Sequence, residues 1–322
     1  MTILLNDIDS NQEAFEKIHA GRFIGSSRIA AVCGLNKYCS RLQVWQEMTS
    51  EKGPEFDEDQ KLNMWLGHKM EPVIGELFEK KTLLMVARAN QVFTYEPWPV
   101  AIASPDFYVF NKDDSTTKLG ILEAKNANHY VGDQWEDEIP DSAHCQIQWQ
   151  MGICGIEKAW VAALIGGDAR RFKFQEIPFS PELFKQLLTQ AQDFYNNYVL
   201  TGIPPLPSAD DGKLIDSMVV RDLAGCTELA AELIPGLERY EEIKKAKATV
   251  GDQLATLTRD QKEIENKIKV AMGTAIYAIC GGRQIKLNNI IAKAKKDTKV
   301  GDIISDYWTF KVTELATNAT PE

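Results

Sequence analysis

Long apolar runs are missing from this chain of 322 residues. None approaches the roughly 20 residues that a bilayer-spanning helix requires, so no membrane segment is expected. Cysteine is sparse: the six residues Cys33, Cys39, Cys145, Cys154, Cys226 and Cys280 form no CxxC pair, which argues against a zinc site and for reduced thiols in a cytoplasmic protein. Met1 to Ser10 carries Asp7 and Asp9 and no basic stretch, so it is not expected to act as a signal peptide. Repeats and low-complexity tracts are absent. Positive charge is in deficit, with a net charge of −10, which speaks against unspecific adhesion to nucleic acid. It does not exclude a nuclease, because a metal site is built from carboxylates and the bound cation reverses the local sign. With 44% hydrophobic and 25% charged residues the composition is that of a soluble globular protein, long enough for more than one domain.

What is present begins with Ser104-Pro105-Asp106, followed by Leu122-Glu123-Ala124-Lys125-Asn126. An Asp and then Glu-x-Lys is the acidic pattern of the PD-(D/E)xK nucleases. Asp106 lies in an apolar run, Val100 to Phe110, and Glu123 and Lys125 lie on a second, Leu119 to Lys125. Side chains two apart on a strand share a face, so Glu123 and Lys125 point one way with Leu122 and Ala124 behind them. An acid on each of two neighbouring strands can hold Mg²⁺, which takes few carboxylates and keeps several waters. Lys125 beside it could hold or activate a water, or stabilise charge on a phosphate.

Three further segments stand out. Residues 59–81 read as a helix with apolar Leu62, Leu66, Met70, Val73, Ile74 and Leu77; Gly67, Glu71 and Gly75 form another stripe, where glycines suggest a close approach. Residues 140–156 read as a helix from Pro140 to near Gly155, with Gln146 and Gln150 on one face. Gly25-Ser26-Ser27 opens a third helix and offers hydroxyls and N–H groups to an anion. Taken singly, these segments equally fit helix packing with an exposed Glu, a polar helix face and a plain cap.

In this order and spacing the segments resemble the YqaJ viral recombinase family of phage-type, lambda-exonuclease-like nucleases, over about residues 15 to 205. The resemblance implies a PD-(D/E)xK core in which Asp106 and Glu123 bind Mg²⁺ (Mn²⁺ substituting) with the Ala124 carbonyl, joined by Glu71 and Glu96. Lys125 and Gln146 would position the attacking water, and Ser27 would bind a DNA phosphate. The family usually has an arginine seven residues before this serine; Ala20 stands there, which leaves Arg22 and Arg28 as candidates for the phosphate. The implied activity is a 5′–3′ exonuclease on double-stranded DNA. It would leave 3′ single strands for recombination, work with a single-strand annealing protein and assemble in some members as a trimer. An endonuclease of the same fold and a noncatalytic DNA-binding or assembly module are the competing readings.

The element order predicts an α/β fold, a mixed sheet flanked by helices: strands near 90–96, 99–110, 119–126, 158–165 and 171–177, and a last helix over 181–201. Acidic runs at 51–59 and 133–141 read as solvated loops. Gly202-Ile203-Pro204-Pro205-Leu206-Pro207 makes a stiff connector, giving a nuclease domain over 1–207 and a helical, coiled-coil-like extension over 208–322. The extension rests on a seam from Val250 to Ala275, either coiled-coil-like or one side of a helical hairpin. Arg283 to Lys299 carries six basic residues and one acid, and fits either a scaffold or a DNA-contacting arm. Tyr307 to Val312 reads as a strand, and the tail from Ala316 as disordered.

Overall fold

The computed structural model describes residues 2–50, 58–135, 138–219, 222–247, 254–293 and 303–314. The chain divides into two compact units, Met1–Pro205 and Leu206–Glu322. Among the described residues no helix is long and apolar enough to cross a membrane.

The first unit contains β1 (Thr2–Asn6), α1 (Gln12–Ala20), α2 (Ser26–Val32), α3 (Arg41–Thr49), α4 (Glu58–Lys81), β2 (Leu84–Arg88), β3 (Gln91–Thr94), β4 (Ile102–Ala103), β5 (Phe107–Asn111), β6 (Asp114–Ala127), α5 (Asp141–Cys154), β7 (Lys158–Ile165), β8 (Phe172–Pro178) and α6 (Pro181–Phe194). Its larger sheet runs β2-β5-β6-β7-β8, antiparallel except where β6 and β7 pair in parallel. This is the expected mixed sheet flanked by helices. Strand β7 is apolar and buried on both faces, as a central strand between two helical layers must be. On one face Ile74 and Phe78 of α4 pack with Phe107, Leu122, Ala124, Trp160 and Leu164. Helix α5 covers the other, starting behind Pro140 and ending at Gly155 in the left-handed region (φ 62°).

Helix α4 differs from its expected pattern. Its apolar face is covered only from Met70 onward, and Leu62, Leu66 and Val73 remain exposed. Of the two flagged glycines, Gly75 meets the sheet: a Cβ there would stand 3.2 Å from Val86 and 3.4 Å from Phe107. Gly67 faces open space. The short strands β1 and β2 escaped the sequence reading.

The apolar run over 99–110 is not one strand. Its first part, β4, belongs to a small antiparallel sheet ordered β1-β3-β4, and its second, β5, to the large sheet. Ser104-Pro105-Asp106 is the crossing between them. Pro105 has no N–H to give a ladder, so the strand stops there. The Ser104 hydroxyl donates to the Gln91 carbonyl at 3.0 Å, and the Asp106 carbonyl accepts from the Ala89 N–H at 3.0 Å. Asp106 therefore stands at the head of β5 with its backbone tied on both sides.

The second unit corrects the expectation of a mainly helical, coiled-coil-like extension over 208–322. It holds α7 (Gly212–Met218), β9 (Asp222–Glu228), α8 (Ile234–Lys247), α9 (Leu254–Met272), β10 (Ala275–Cys280), β11 (Arg283–Lys293) and β12 (Ile303–Glu314). The strands form one sheet, β12-β11-β10-β9, with β9 and β10 parallel. Leu237, Ile268 and Met272 pack against Ala278, Cys280, Ile285 and Leu287, so the seam of α9 packs on α8 as one side of a helical hairpin and also on the sheet; Val250 lies outside the described residues. Gly273 takes a left-handed conformation (φ 55°), ends α9, and turns Ala275 from a helical seam position into a strand. Tyr307 to Val312 lies in β12 as expected. The basic segment is β11 as far as Lys293, and Arg283 is ion-paired to Glu241 at 2.8 Å. The stretch 294–300, the tail from 315 and the acidic residues at 51–57 and 136–137 lie outside the described residues. Glu58 and Asp59 begin α4 and Asp141 begins α5, where carboxylates suit the positive end of a helix.

Candidate active site

The site is assembled on β5, β6, α4 and α5. Phe107 pairs with Leu122 across β5 and β6, so Asp106, one residue earlier, stands next to Glu123, one residue later. The Ala124 N–H donates to Asp106 Oδ2 at 2.7 Å. A strand residue turns its N–H and C=O to the same neighbour, so the Ala124 carbonyl faces the Asp106 side as well. Strand alternation puts Leu122 and Ala124 into the core under α4 and Glu123 and Lys125 toward α5.

Glu123 is 4% exposed and its carboxylate accepts from three side chains. Lys125 Nζ lies 2.7 Å from Oε1, the Gln146 amide donates to the same oxygen, and Gln150 Nε2 donates to Oε2 at 2.7 Å. Lys125 Nζ also donates to Gln146 Oε1 at 2.7 Å, closing a ring of Glu123, Lys125 and Gln146. A buried carboxylate persists only when paired in this way. Gln150 shares the Gln146 face, four positions on, but the sequence reading does not assign it to the site; its Oε1 is buried and has no hydrogen-bond partner among the described residues.

Glu71, on α4, completes the acidic cluster. Arg88 Nη2 lies 3.6 Å from its Oε2 and His68 Nε2 4.0 Å from its Oε1. Burial pushes Glu71 above the ordinary glutamate value, against His68 and Arg88 and with a smaller push from Glu123. Asp106 is raised well above the usual aspartate value, first by burial and then by the carboxylates of Glu123 and Glu71. Burial works against the Lys125 ammonium, but Glu123, with Asp106 and Glu71 beyond it, outweighs that and lifts Lys125 above the ordinary lysine value.

Three carboxylates here face two permanent cations, Lys125 and Arg88. Among the described residues no three His, Cys, Asp or Glu side chains form a ready ligand group for a metal ion. The donors fit Mg²⁺ or Mn²⁺ all the same, since those ions need only one or two carboxylates and fill the remaining positions with water and substrate oxygens. The repulsion that raises Asp106 is what a divalent cation would relieve.

The other expected residues stand on α2, just before it, and beside the small sheet. Glu96 is exposed in the turn after β3 and accepts from the Thr2 hydroxyl, on the small sheet. Arg28 is directed inward: Nη1 donates to the carbonyls of Phe23 (3.0 Å) and Gly21 (3.4 Å), and Nη2 lies 3.7 Å from Glu47. Ser27 and Arg22 are exposed, Ser27 at the start of α2. The neighbouring Ser26 is buried, and its Oγ has no hydrogen-bond partner among the described residues. Sequence reading missed Arg88 altogether, because β2 is short and carries no motif.

Residues 14–157 match the YqaJ-like viral recombinase domain, a segment that contains every proposed site residue. The chain is 27% identical over 291 residues to the uncharacterized protein YqaJ of Bacillus subtilis (strain 168), covering 88% of this chain and 86% of that protein. It is also similar to two solved structures. One is the alkaline exonuclease LHK-Exo of Laribacter hongkongensis (18% identity, TM-score 0.48, 60% of this chain and 94% of that one). The other is a phage-related exonuclease from Haemophilus somnus 129PT (12% identity, TM-score 0.41, 56% and 96%). The family resemblance read from the motifs is thus present in the chain.

Proposed function

We propose that this YqaJ-like domain hydrolyses phosphodiester bonds in duplex DNA, digesting it from the 5′ end and leaving 3′ single strands for a single-strand annealing partner. The observation that carries the reading is the buried Glu123, set beside Asp106 and held by Lys125, Gln146 and Gln150. A buried carboxyl group that takes up three side-chain donors has a task beyond stability.

Asp106, Glu123 and the Ala124 carbonyl would hold Mg²⁺ or Mn²⁺, with Glu71 alongside. When bound, the ion lowers the pKa of a water and offsets charge on the phosphate. The chain's own groups do the rest. Lys125 directs an ammonium at the place where negative charge develops on the phosphate oxygens. Gln146 offers an acceptor and a donor on one amide and can fix the direction of the attacking water. Attack by that water inverts the phosphorus and needs no covalent intermediate. Gln150 keeps Glu123 in place from behind.

End-labelled linear duplexes, with and without a 5′-phosphate, together with nicked and closed circles, test the reading in Mg²⁺. Linear DNA should be shortened from its 5′ ends and closed circles should survive. Cutting of closed circles would make the enzyme an endonuclease. Full-rate cleavage in excess EDTA, or by Asp106→Ala or Glu123→Ala, would remove the site as drawn.

A further inference from the structure

Of the cations expected to meet a phosphate, Arg28 is engaged by groups of the protein itself. Arg28 is held by two carbonyls and Glu47, and Ala20 replaces the family's arginine. Yet Lys125 is paired to Glu123, with Asp106 and Glu71 beyond it, so a polyanion approaching these acids gains from a further cation close by.

Arg88 stands where that charge is needed. It is the last residue of β2 and pairs with Phe107, which directly follows Asp106. The next residue, Ala89, donates its N–H to the Asp106 carbonyl at 3.0 Å, so the backbone fixes where Arg88 begins relative to the cluster. Its side chain is 50% exposed, against 14% for its partner Glu71, and the closest N–O approach is 3.6 Å. A structural arginine–carboxylate pair is short and often bidentate. A long, half-solvated pairing contributes little to stability. The planar fork of donors on Arg88 is thus half in solvent and only loosely paired to Glu71, which suits it to take a phosphate.

We propose that Arg88 is the phosphate-binding arginine of this site: on substrate binding its guanidinium turns from Glu71 to a DNA phosphate beside the scissile one. The inference rests on the nuclease reading for its place in the reaction, but not for its test. The shared ligand chemistry is a phosphate oxygen, from either a terminal 5′-phosphate or an internal diester.

The full chain and its Arg88→Ala, Arg88→Lys, Glu71→Gln and Glu71→Gln/Arg88→Ala variants are titrated with fluorescent duplexes bearing 5′-phosphate or 5′-hydroxyl ends. Ca²⁺ replaces Mg²⁺, and salt is varied. Arg88→Ala should weaken binding about tenfold, as expected for losing one charged hydrogen-bonding group. It should also reduce the log–log salt slope by about one unit. Arg88→Lys should restore the slope and part of the affinity. A loss confined to 5′-phosphorylated duplexes assigns the terminal phosphate, and an equal loss on both assigns an internal one. The loss must persist in the Glu71→Gln background; if it vanishes there, Arg88 serves only to hold Glu71 and the proposal is wrong. Unchanged affinity and slope in Arg88→Ala likewise overturn it. Should the wild-type chain bind DNA with an Arg88-dependent slope but cleave nothing in Mg²⁺, the nuclease reading fails and this one stands. If it binds no DNA, both fail.

Discussion

Gln150 Nε2 donates to Glu123 Oε2 at 2.7 Å from a position without solvent access, so one carboxylate oxygen of the site is fixed by a helix and not by water. Gln150→Leu removes that donor and leaves a buried carboxylate oxygen unpaired. We expect a loss of about 1–3 kcal/mol in stability, the range for an unsatisfied buried group. We also expect a higher Mg²⁺ requirement, because Glu123 is no longer held in place. Urea unfolding and a Mg²⁺ titration of cleavage check the two effects; no change in either would make Gln150 a bystander.

Asp106 gives the metal-free protein a pH dependence with a definite sign. Its folded pKa is raised above the ordinary 3.8, chiefly by burial, so the folded state binds the proton more tightly than the unfolded state. The stabilisation is complete below 3.8 and is lost as pH rises through the raised value. Glu71, raised from 4.5, acts in the same direction. In EDTA the unfolding free energy should therefore fall as pH rises from about 4 toward neutrality, and Asp106→Asn or added Mg²⁺ should flatten the fall. A flat profile in EDTA for the wild-type chain would contradict it.

Lys125→Ala should lower kcat far more than DNA affinity, because its ammonium acts on charge that appears in the transition state. Gln146→Ala should show the same pattern more mildly, since a neutral hydrogen bond is weaker than a charged one. Single-turnover rates set beside equilibrium binding separate the two quantities. A normal single-turnover rate with weakened binding would reassign Lys125 to simple phosphate binding.

Each unit has its own core, around Ile74, Phe78, Leu122 and Trp160 in the first and Leu237, Ile268 and Ile285 in the second. A chain ending at Pro207 keeps every proposed site residue. It should fold and cut short duplexes, while binding long DNA with a salt slope shallower by about one unit for each phosphate that the second unit had neutralised. An unchanged slope with altered mass in light scattering would make the second unit an assembly element. Insolubility would show that the first unit does not stand alone.

The parts of the site legible in sequence are those governed by local periodicity. Glu123 and Lys125 share a face because they are two apart on a strand, and Gln146 and Gln150 because they are four apart on a helix. What escaped depended on long-range pairing. Nothing around Arg88 marks it until β2 pairs with β5. Arg28 reads as an exposed cation until α3 brings Glu47 against it. Glu96 lies close to Asp106 in sequence, but the crossing at Pro105 sends the two to different sheets. In the second unit, Ala275 to Cys280 fits an apolar helix stripe as well as a strand, and only the left-handed turn at Gly273 decides between them.

The parallel pairing of β6 with β7 carries a further meaning for biogenesis. Parallel neighbours cannot be joined by a hairpin and need a crossover, which here contains α5. Glu123 and Lys125 precede that crossover and their glutamine partners lie on it, so ribosomal synthesis delivers the acid before its donors. Until α5 docks, Glu123 lacks its two glutamine donors. Core closure and site assembly are then one cooperative event, and a nascent or partly unfolded chain holds the separate pieces without a working centre.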